Sequence, residues 1–212
     1  MQKGNPKKQI RKPQQQPKPG EELKMKPQPV SDKPEQPGTG KLQNKIALIT
    51  GGDSGIGRAV AILFAKEGAD VAISYLNEHE DANDTRNIIE TEYGRTCLLL
   101  PSDVSKEKTC ISIVNKTIKK FNRIDIFVNN AAMHYESKSL EDITTEHLLN
   151  TFYTNIISMF WITKAALPYI KKGSSIINTS SVTAYRGSAA WWIMLQQKGQ
   201  CFFYTQPFCQ TC

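Results

Sequence analysis

Residues 45–57 carry the sequence KIALITGGDSGIG, which decides the fold. Residues 46–50 form a short apolar run of the kind that makes a buried parallel strand. The glycines that follow allow the backbone to turn sharply and to approach a pyrophosphate, whose charge lies against the first N–H groups of the next helix. The spacing, Gly-x-x-x-Gly-x-Gly over residues 51–57, differs from the general fingerprint Gly-x-Gly-x-x-Gly. Its place between a strand and a helix nevertheless predicts a dinucleotide-binding loop.

The same alternation of strand and helix continues along the chain. An alternation of this kind predicts an open, doubly wound parallel α/β sheet of the Rossmann type, with helices on both faces. Further strands are predicted at 71–75, 97–100, 124–128 and 175–178, and helices at 56–66, 81–92, 106–120 and about 145–170.

Apolar spacing also predicts which helix faces point inward. In the first helix the residues at helical spacing are Ile56, Val60, Leu63 and Phe64, and Gly68 follows where a helix C-cap belongs. In the third helix Ile111, Val114 and Ile118 are expected to point inward.

The net charge of +7 is confined to one end of the chain. Residues 1–45 hold eleven Lys and Arg against four acids, whereas the remainder holds sixteen of each sign. Eight of the eleven prolines also lie within residues 1–40. We therefore predict that residues 1–44 are a basic, Pro/Gln-rich extension that is disordered or loosely draped, with a docking arm for a neighbouring subunit as the alternative. The basic groups have no interleaved aromatic residues, so nucleic acid is not expected as a partner.

Membrane, secretory and metal classes receive no support from the sequence. No run approaches the roughly 20 apolar residues of a membrane span, and residues 1–40 lack the apolar region of a secretory signal, so we predict a cytoplasmic protein. Cys97 and Cys110 are expected to be buried as small hydrophobes. Cys201, Cys209 and Cys212 share no metal-like partner set with the three histidines, so no metal site is predicted.

Ligands of parallel sheets bind at the carboxyl ends of the strands. The segments that follow the predicted strands are rich in Gly, Ser, Thr, Asn or Asp, so the chemistry is expected there. These segments are residues 50–57, 75–78, 101–104, 129–134 and 179–186.

Motifs in these segments resemble those of the classical short-chain dehydrogenases/reductases, over residues of about 45–188. The resemblance implies a Rossmann domain at 45–188 and an NAD(P)(H)-dependent oxidoreductase that interconverts a carbonyl and a hydroxyl group on a small molecule. The motifs are Thr50-Gly51-x-x-x-Gly55-x-Gly57 for the cofactor loop, Asp103-Val104 for the adenine contact, Asn129-Asn130-Ala131-Ala132 with Ala132 in place of the usual Gly, Asn155 on the long helix, and Asn178-Thr179-Ser180-Ser181 for the segment of the catalytic serine.

The resemblance also implies roles for particular residues. Ser181 would hydrogen-bond the substrate carbonyl, Asn155 would hold a water, and Lys198 would lower the pKa of a catalytic Tyr and bind the nicotinamide ribose. The cofactor-binding residues it implies are Gly51, Asp53, Ser54, Gly55, Ile56, Gly57, Tyr75, Asp103, Val104, Asn130, Ala131 and Lys198.

The chain departs from the family pattern at the catalytic tyrosine. The expected position holds Met194, and no Tyr-x-x-x-Lys occurs anywhere in the sequence. Activity is therefore expected to be impaired. The alternative reading is a catalytically inactive nucleotide-binding protein.

Residues 189–212 form a polar and aromatic string unlike the preceding body. Back-translation one base out of frame permits Asp-Tyr-Ala-Ala-Thr-Lys-Gly around Met194, as the family carries there. Our hypothesis is that small insertions or deletions displaced the reading frame, and the rival is a genuinely divergent C-terminus. Under the hypothesis the family's later strands, substrate lid and homo-oligomer interface would be missing. Sequencing the gene from an independent isolate tests it.

The segment after the second predicted strand slightly favours NADP(H) over NAD(H). Rossmann sites that select NAD carry an acid about 20 residues past the glycine loop, where this chain has Tyr75 and no acid before Glu78. Ser74 and Arg58 could serve a 2′-phosphate. The mouth of the site would be lined by His134, Tyr135 and residues 183–186, which are expected to be generic loop rather than to select the substrate. The prediction therefore goes no further than a carbonyl compound or a secondary alcohol.

Overall fold

The structure, a computed structural model, describes residues 16, 22–33, 35–135, 137 and 139–181. Five strands alternate with helices along these residues. The strands are β1 (Ile46–Thr50), β2 (Asp70–Tyr75), β3 (Cys97–Pro101), β4 (Ile124–Asn129) and β5 (Ile170–Asn178). The helices are α1 (Gly55–Lys66), α2 (His79–Tyr93), α3 (Glu107–Phe121), α4 (Thr145–Phe152) and α5 (Ser158–Ala166), with short 3-10 turns at Glu22–Lys24 and Leu167–Tyr169 and a π turn at Tyr153–Ile157.

All five strands are parallel and run in the order β3-β2-β1-β4-β5. Strand β1 is central, since Ala47 pairs with Val71 of β2 on one side and with Ile126 of β4 on the other. The order reverses between β1 and β4, and this is the place where open α/β sheets bind ligands. The predicted doubly wound parallel sheet is confirmed.

Helices cover both faces of the sheet, and each face has its own apolar core. One core lies beneath α1 and α2, around Ile49, Ile62 and Ile73. The other lies beneath α3 and α5, around Leu48, Phe127 and Ile162. Cys97 and Cys110 are buried in these cores, as predicted.

The predicted inward face of α1 is wrong at two positions. Ile56 is 67% exposed and Leu63 is 51% exposed. The cause is Gly57, where an added Cβ would lie 1.8 Å from the carbonyl oxygen of Gly51. Because this contact fixes the rotation of the helix, Ala61 and Ala65, one and two turns further on, point to the sheet and are buried. The inner face therefore combines these small residues with Ile62, which is fully buried.

The inner face of α3 is also rotated from the predicted one. Ile111 is exposed, whereas Val114 is buried as expected and Ile118 is partly buried. Cys110 and Ile113 complete the buried face. The smaller side chains of Cys110 and Thr117 thus share this face with Ile113 and Val114.

The long helix predicted at 145–170 is a succession of α4, the π turn and α5, ending in the 3-10 turn that contains Pro168. Strand β5 begins at Ile170 rather than at the predicted residue 175. Its pairing with β4 is irregular between Ile124 and Ile126, and Gly173 has a φ of +88°. Because the start of β5 is polar and irregular, a prediction based on apolar runs did not include it.

Part of the N-terminal extension packs on the domain. We call residues 22–33 and 35–44 the N-terminal strap. Asp32 of the strap pairs with Lys66 at 3.0 Å and accepts a hydrogen bond from the Tyr93 hydroxyl. The backbone N–H groups of Thr39 and Lys41 donate to Glu67. The strap thus lies along α1 and reaches the end of α2, because its few acids and backbone donors have partners there.

Two observations concern what the described residues lack. None of their helices is both long and apolar enough to cross a membrane. They also contain no cluster of three or more His, Cys, Asp or Glu side chains that could hold a metal ion. The predicted segment 189–212, with Met194 and Lys198, lies outside the described residues.

Candidate functional site

The glycine loop between β1 and α1 has a backbone that side chains would obstruct. Gly51 and Gly55 have φ values of +63° and +54°, in the left-handed region that favours glycine. A Cβ at Gly57 would overlap Gly51, and at Gly52 it would lie 2.6 Å from Ile73 Cγ2. The N–H groups of Gly51 and Gly52 both donate to the carbonyl oxygen of Ser74. The loop is therefore held tightly against β2.

Thr50, the last residue of β1, joins the loop to the end of β4. Its hydroxyl oxygen accepts hydrogen bonds from the backbone N–H groups of Asn130 at 2.9 Å and Ala131 at 3.0 Å. The Asn130 side chain in turn donates to the Gly51 carbonyl at 3.1 Å. Thr50 was quoted in the sequence motif but not predicted as a site residue. A hydroxyl at the end of a central strand was the signal that could have identified it.

The N-terminus of α1 lacks a cap from its own side chains. Ser54 stands at the N-cap position, but its hydroxyl donates to Asp53 at 2.9 Å. Asp53 is buried, and desolvation raises the pKa of its carboxyl above the ordinary value. Its carbonyl oxygen accepts from the buried Thr85 hydroxyl at 3.0 Å, which ties the loop to α2. Ile56 is the most exposed side chain of this turn.

The residues invoked for a 2′-phosphate do not face solvent. Ser74 is fully buried in β2, and Arg58 is 8% exposed. Arg58 forms an ion pair with Asp84 and lies 3.5 Å from a carboxylate oxygen of Glu22. Tyr75 is also buried, and its hydroxyl lies 3.0 Å from His79 Nδ1. Neither Ser74 nor Arg58 supports the prediction of NADP(H), because each is committed to the interior.

Asp103 and Val104 lie directly after β3. The Asp103 carboxylate accepts hydrogen bonds from the N–H and hydroxyl of Ser105 and pairs with Lys106 at 3.1 Å. Burial alone would raise its pKa, but these bonds hold the pKa of Asp103 below its ordinary value. Val104 is buried beside Cys110, whose Sγ donates to its carbonyl oxygen. Asp103 is therefore a fixed, charged group at this strand end.

The ends of β4 and β5 are bonded to each other through their asparagines. The Asn129 side chain donates to the Asn178 side chain at 2.7 Å. The Thr179 N–H donates to the Asn129 carbonyl, and its hydroxyl donates to Asn130 at 3.2 Å. Ser181 follows two residues later and is half-buried. The segment predicted to carry the catalytic serine thus lies at the same edge of the sheet as the glycine loop.

Asn155 lies in the π turn and is 1% exposed. Its side-chain oxygen accepts from the Met133 N–H at 2.8 Å, and its side-chain NH₂ donates to the Met133 carbonyl at 2.7 Å. Single π turns within α-helices occur often at functional sites. The sequence pattern did not predict the interaction with Met133, because the two residues are 22 positions apart.

The structure brings most of the predicted site residues to one edge of the sheet. The glycine loop, Asn130 and Ala131 are directly bonded together, and Ser181 follows the strand bonded to them. Lys198 and Met194 lie outside the described residues. The residues that sequence reasoning missed are Thr50, Met133 and Glu22.

The loop fits a nucleotide pyrophosphate. The overlaps at Gly52 and Gly57 show that only glycine permits this close packing, and the first turn of α1 contains no acidic side chain of its own. Helix N-termini with glycine-rich loops bind phosphate through free N–H groups and the helix dipole. Together with the order of the sheet, this defines a nucleotide-binding domain of the Rossmann type.

Comparison with known proteins identifies the family. Residues 45–193 match the family described as short chain dehydrogenase, and the match ends one residue before Met194. The chain therefore belongs to the short-chain dehydrogenase family.

Three similar proteins illustrate the relationship. The uncharacterized oxidoreductase YhxC of Bacillus subtilis (strain 168) is 51% identical over 91% of this chain and 67% of its own length. The NADPH-dependent aldehyde reductase 1, chloroplastic, of Arabidopsis thaliana is 43% identical over 81% of this chain and 62% of its own. The crystal structure of a short chain dehydrogenase from Burkholderia cenocepacia J2315 in complex with NADP is 31% identical, with a TM-score of 0.78, over 81% of this chain and 69% of that one. The chain thus spans about two thirds of the length of these relatives.

Proposed function

We propose that this chain is an NAD(P)(H)-dependent oxidoreductase that interconverts a carbonyl and a hydroxyl group on a small molecule, with activity impaired by Met194. The observation that carries the proposal is the bonded arrangement of the glycine loop with the end of β4 through Thr50 and Asn130. This arrangement supports a phosphate-binding role for the N-terminus of α1, near the segment that leads to Ser181. Family membership supports the reaction class.

The glycine loop and its neighbours would hold the cofactor. The N–H groups of residues 54–57 would face the pyrophosphate, and Gly51 and Gly57 allow it a close approach. Asp103 and Val104 would lie against the adenine, with Tyr75 nearby as packing at the end of β2. Asn130 and Ala131 would flank the cofactor at the end of β4. When bound, the nicotinamide supplies or accepts a hydride.

The residues of β5 and α4–α5 would serve the substrate. The Ser181 hydroxyl would donate a hydrogen bond to the substrate oxygen and so orient it. Asn155 would keep the loop at Met133 in place beneath the substrate, in addition to the water-holding role that the family implies. Lys198 would bind the nicotinamide ribose. Met194 has no proton to donate, so the step that requires general acid catalysis is left without its donor.

The preference for NADP(H) over NAD(H) remains part of this proposal, but on different grounds. Support comes from a relative named as NADPH-dependent and from similar structures that contain NADP or NADPH. Ser74 and Arg58 contribute none of it, because both are buried.

A titration of the full chain with NADPH and with NADH, followed by nicotinamide fluorescence, tests the proposal. We expect saturable binding, little turnover of aldehydes and ketones, and a rate about a hundredfold higher in Met194→Tyr. A folded chain that ignores both nucleotides at roughly millimolar concentration would overturn the proposal.

A catalytically inactive nucleotide-binding protein is the second candidate, and Met194 is the observation that favours it. The two candidates differ in one result. If the chain binds nucleotide and Met194→Tyr still shows no turnover with any carbonyl compound, the second candidate is the better description.

A further inference from the structure

The N-terminal strap buries a carboxylate beside Arg58 of α1. Glu22 is 7% exposed, although it lies in a segment whose composition is that of a solvated tail. Its backbone N–H donates to Asp81 at 2.8 Å. Glu22 is therefore fixed between α1 and α2, through its carboxylate on one side and its backbone on the other.

Glu22 also faces Arg58, one turn further along α1. The distance between Arg58 NH1 and Glu22 Oε2 is 3.5 Å, and Asp84 holds the other side of the guanidinium. Among the described residues, Arg58 Nε and Glu22 Oε2 are buried without a hydrogen-bond partner. The guanidinium is thus balanced by two carboxylates with imperfect geometry.

The charged side chains near Glu22 and Arg58 are mainly acidic. Asp53 of the loop lies close enough to Glu78 and Asp81 for both to contribute to its raised pKa, after desolvation. Glu78 is the first acid after β2, and in Rossmann sites the acid or arginine that distinguishes the ribose 2′-OH from a 2′-phosphate lies in this region. Asp81 of this group accepts the backbone N–H of Glu22, whose carboxylate in turn faces the buried Arg58. Whether the Arg58 guanidinium is free to pair with a 2′-phosphate would therefore control the affinity of the site for that group.

We propose that Glu22, together with Asp84, is a positioning residue that holds Arg58 away from the nucleotide and thereby lowers the affinity of the site for a 2′-phosphate. This inference rests on the proposed function, since it concerns how the nucleotide is chosen. It assigns to the N-terminal strap a part in cofactor discrimination.

The test compares dissociation constants for NADPH and NADH in the full chain by nicotinamide fluorescence. In Glu22→Gln the size of the side chain is kept while its charge is lost, so the ratio of affinities should move toward NADPH by about tenfold. Asp84→Asn, which leaves the strap untouched, should move the ratio in the same direction. Glu35→Gln, at an exposed position of the strap, is the control and should leave the ratio unchanged.

The ratio of the dissociation constants for NADPH and NADH distinguishes positioning from general structural damage, because such damage would weaken the binding of both nucleotides alike. In an Arg58→Gln background, Glu22→Gln should no longer change the ratio, because its effect acts through Arg58. An unchanged ratio in a folded Glu22→Gln variant, or an equal change without Arg58, would overturn the inference. If Glu22→Gln does not fold, an unchanged ratio in Asp84→Asn overturns it. Failure of the wild-type chain to bind either nucleotide would instead contradict the proposed function.

Discussion

Asn155 engages both backbone groups of Met133, with its side-chain oxygen 2.8 Å from the Met133 nitrogen and its side-chain nitrogen 2.7 Å from the Met133 oxygen. The first residue lies in the π turn and the second in the loop after β4, so one amide joins the long helical segment to the edge of the sheet that carries the site. An amide is suited to this because it donates and accepts from adjacent atoms.

Asn155→Ala should lower the free energy of unfolding by about 1–3 kcal/mol, because the buried backbone groups of this contact lose their partners. Urea denaturation measures the change. Asn115→Ala, on the exposed face of α3, is the matched control and should change stability by less than about 0.5 kcal/mol. Equal losses in the two variants would show that the Asn155 contact is not stabilising.

Alanine at two glycines of the loop should have unequal effects. Gly57→Ala puts a Cβ 1.8 Å from the Gly51 carbonyl oxygen, so the loop must move, and we expect a loss of about 3 kcal/mol or more together with loss of nucleotide binding. Gly55→Ala meets no atom within 4 Å and adds only the strain of its φ of +54°, about 1–2 kcal/mol. Thermal unfolding of both variants measures the difference. A loss at Gly55 as large as that at Gly57 would contradict this account of the loop.

The contact of Asp32 with Lys66 and Tyr93 should make the strap sensitive to acid. Burial by itself would raise the pKa of the Asp32 carboxyl, but the hydrogen bonds from Tyr93 and Lys66 hold it below its ordinary value of 3.8. A lowered pKa in the folded state stabilises the protein above pH 3.8, and this contribution is lost as the pH falls through the folded pKa. The stability difference between wild type and Asp32→Asn should therefore be larger at about pH 6 than at about pH 3.5.

Urea midpoints across this pH range measure that difference. The opposite contribution of Asp53, whose pKa is raised by desolvation, is present in both proteins and cancels. Glu35→Gln should show no such pH-dependent gap. A gap for Asp32→Asn that stays constant with pH would mean that the charge on Asp32 does not stabilise the strap.

The two core cysteines should resist alkylation in the native protein. Burial raises the pKa of the Cys97 and Cys110 thiols to about 12, so little thiolate forms even at about pH 9. Iodoacetamide labelling followed by peptide mass spectrometry should show both residues reacting about a hundredfold more slowly in the native state than in urea. Native labelling as fast as in urea would show that these helices and strands open readily.

Periodicity predicted the five strands and the parallel, doubly wound sheet, and loop composition pointed to the segments at the carboxyl ends of the strands, because those features depend on local patterns. The rotation of α1 was missed because it depends on the contact of Gly57 with Gly51, which apolar counting does not include. The π turn was missed for the same kind of reason, since Asn155 pairs with a residue 22 positions earlier.

Composition misled most at the strap. A Pro-rich basic segment lacks apolar residues for a core, so a disordered or loosely draped extension was predicted, with a docking arm as the alternative. Yet Glu22 and Asp32 form ion pairs with basic side chains of α1, and ion pairs between distant residues produce no periodic pattern in the sequence. Arg58 was predicted to be available for a 2′-phosphate because its partner, Glu22, lies in the segment for which composition predicted no fixed contacts.

The central place of β1 has a consequence for synthesis of the protein. Its second neighbour, β4, leaves the ribosome about 80 residues after β1, which at about 5–20 residues per second corresponds to about 4–16 s. During that interval the apolar strand β1 has an unpaired edge on the side of β4. The Ile46 N–H also lacks its acceptor, the Asp125 carboxylate, until β4 has been made. Chaperone binding to residues 45–50 during translation would protect that edge until β4 arrives.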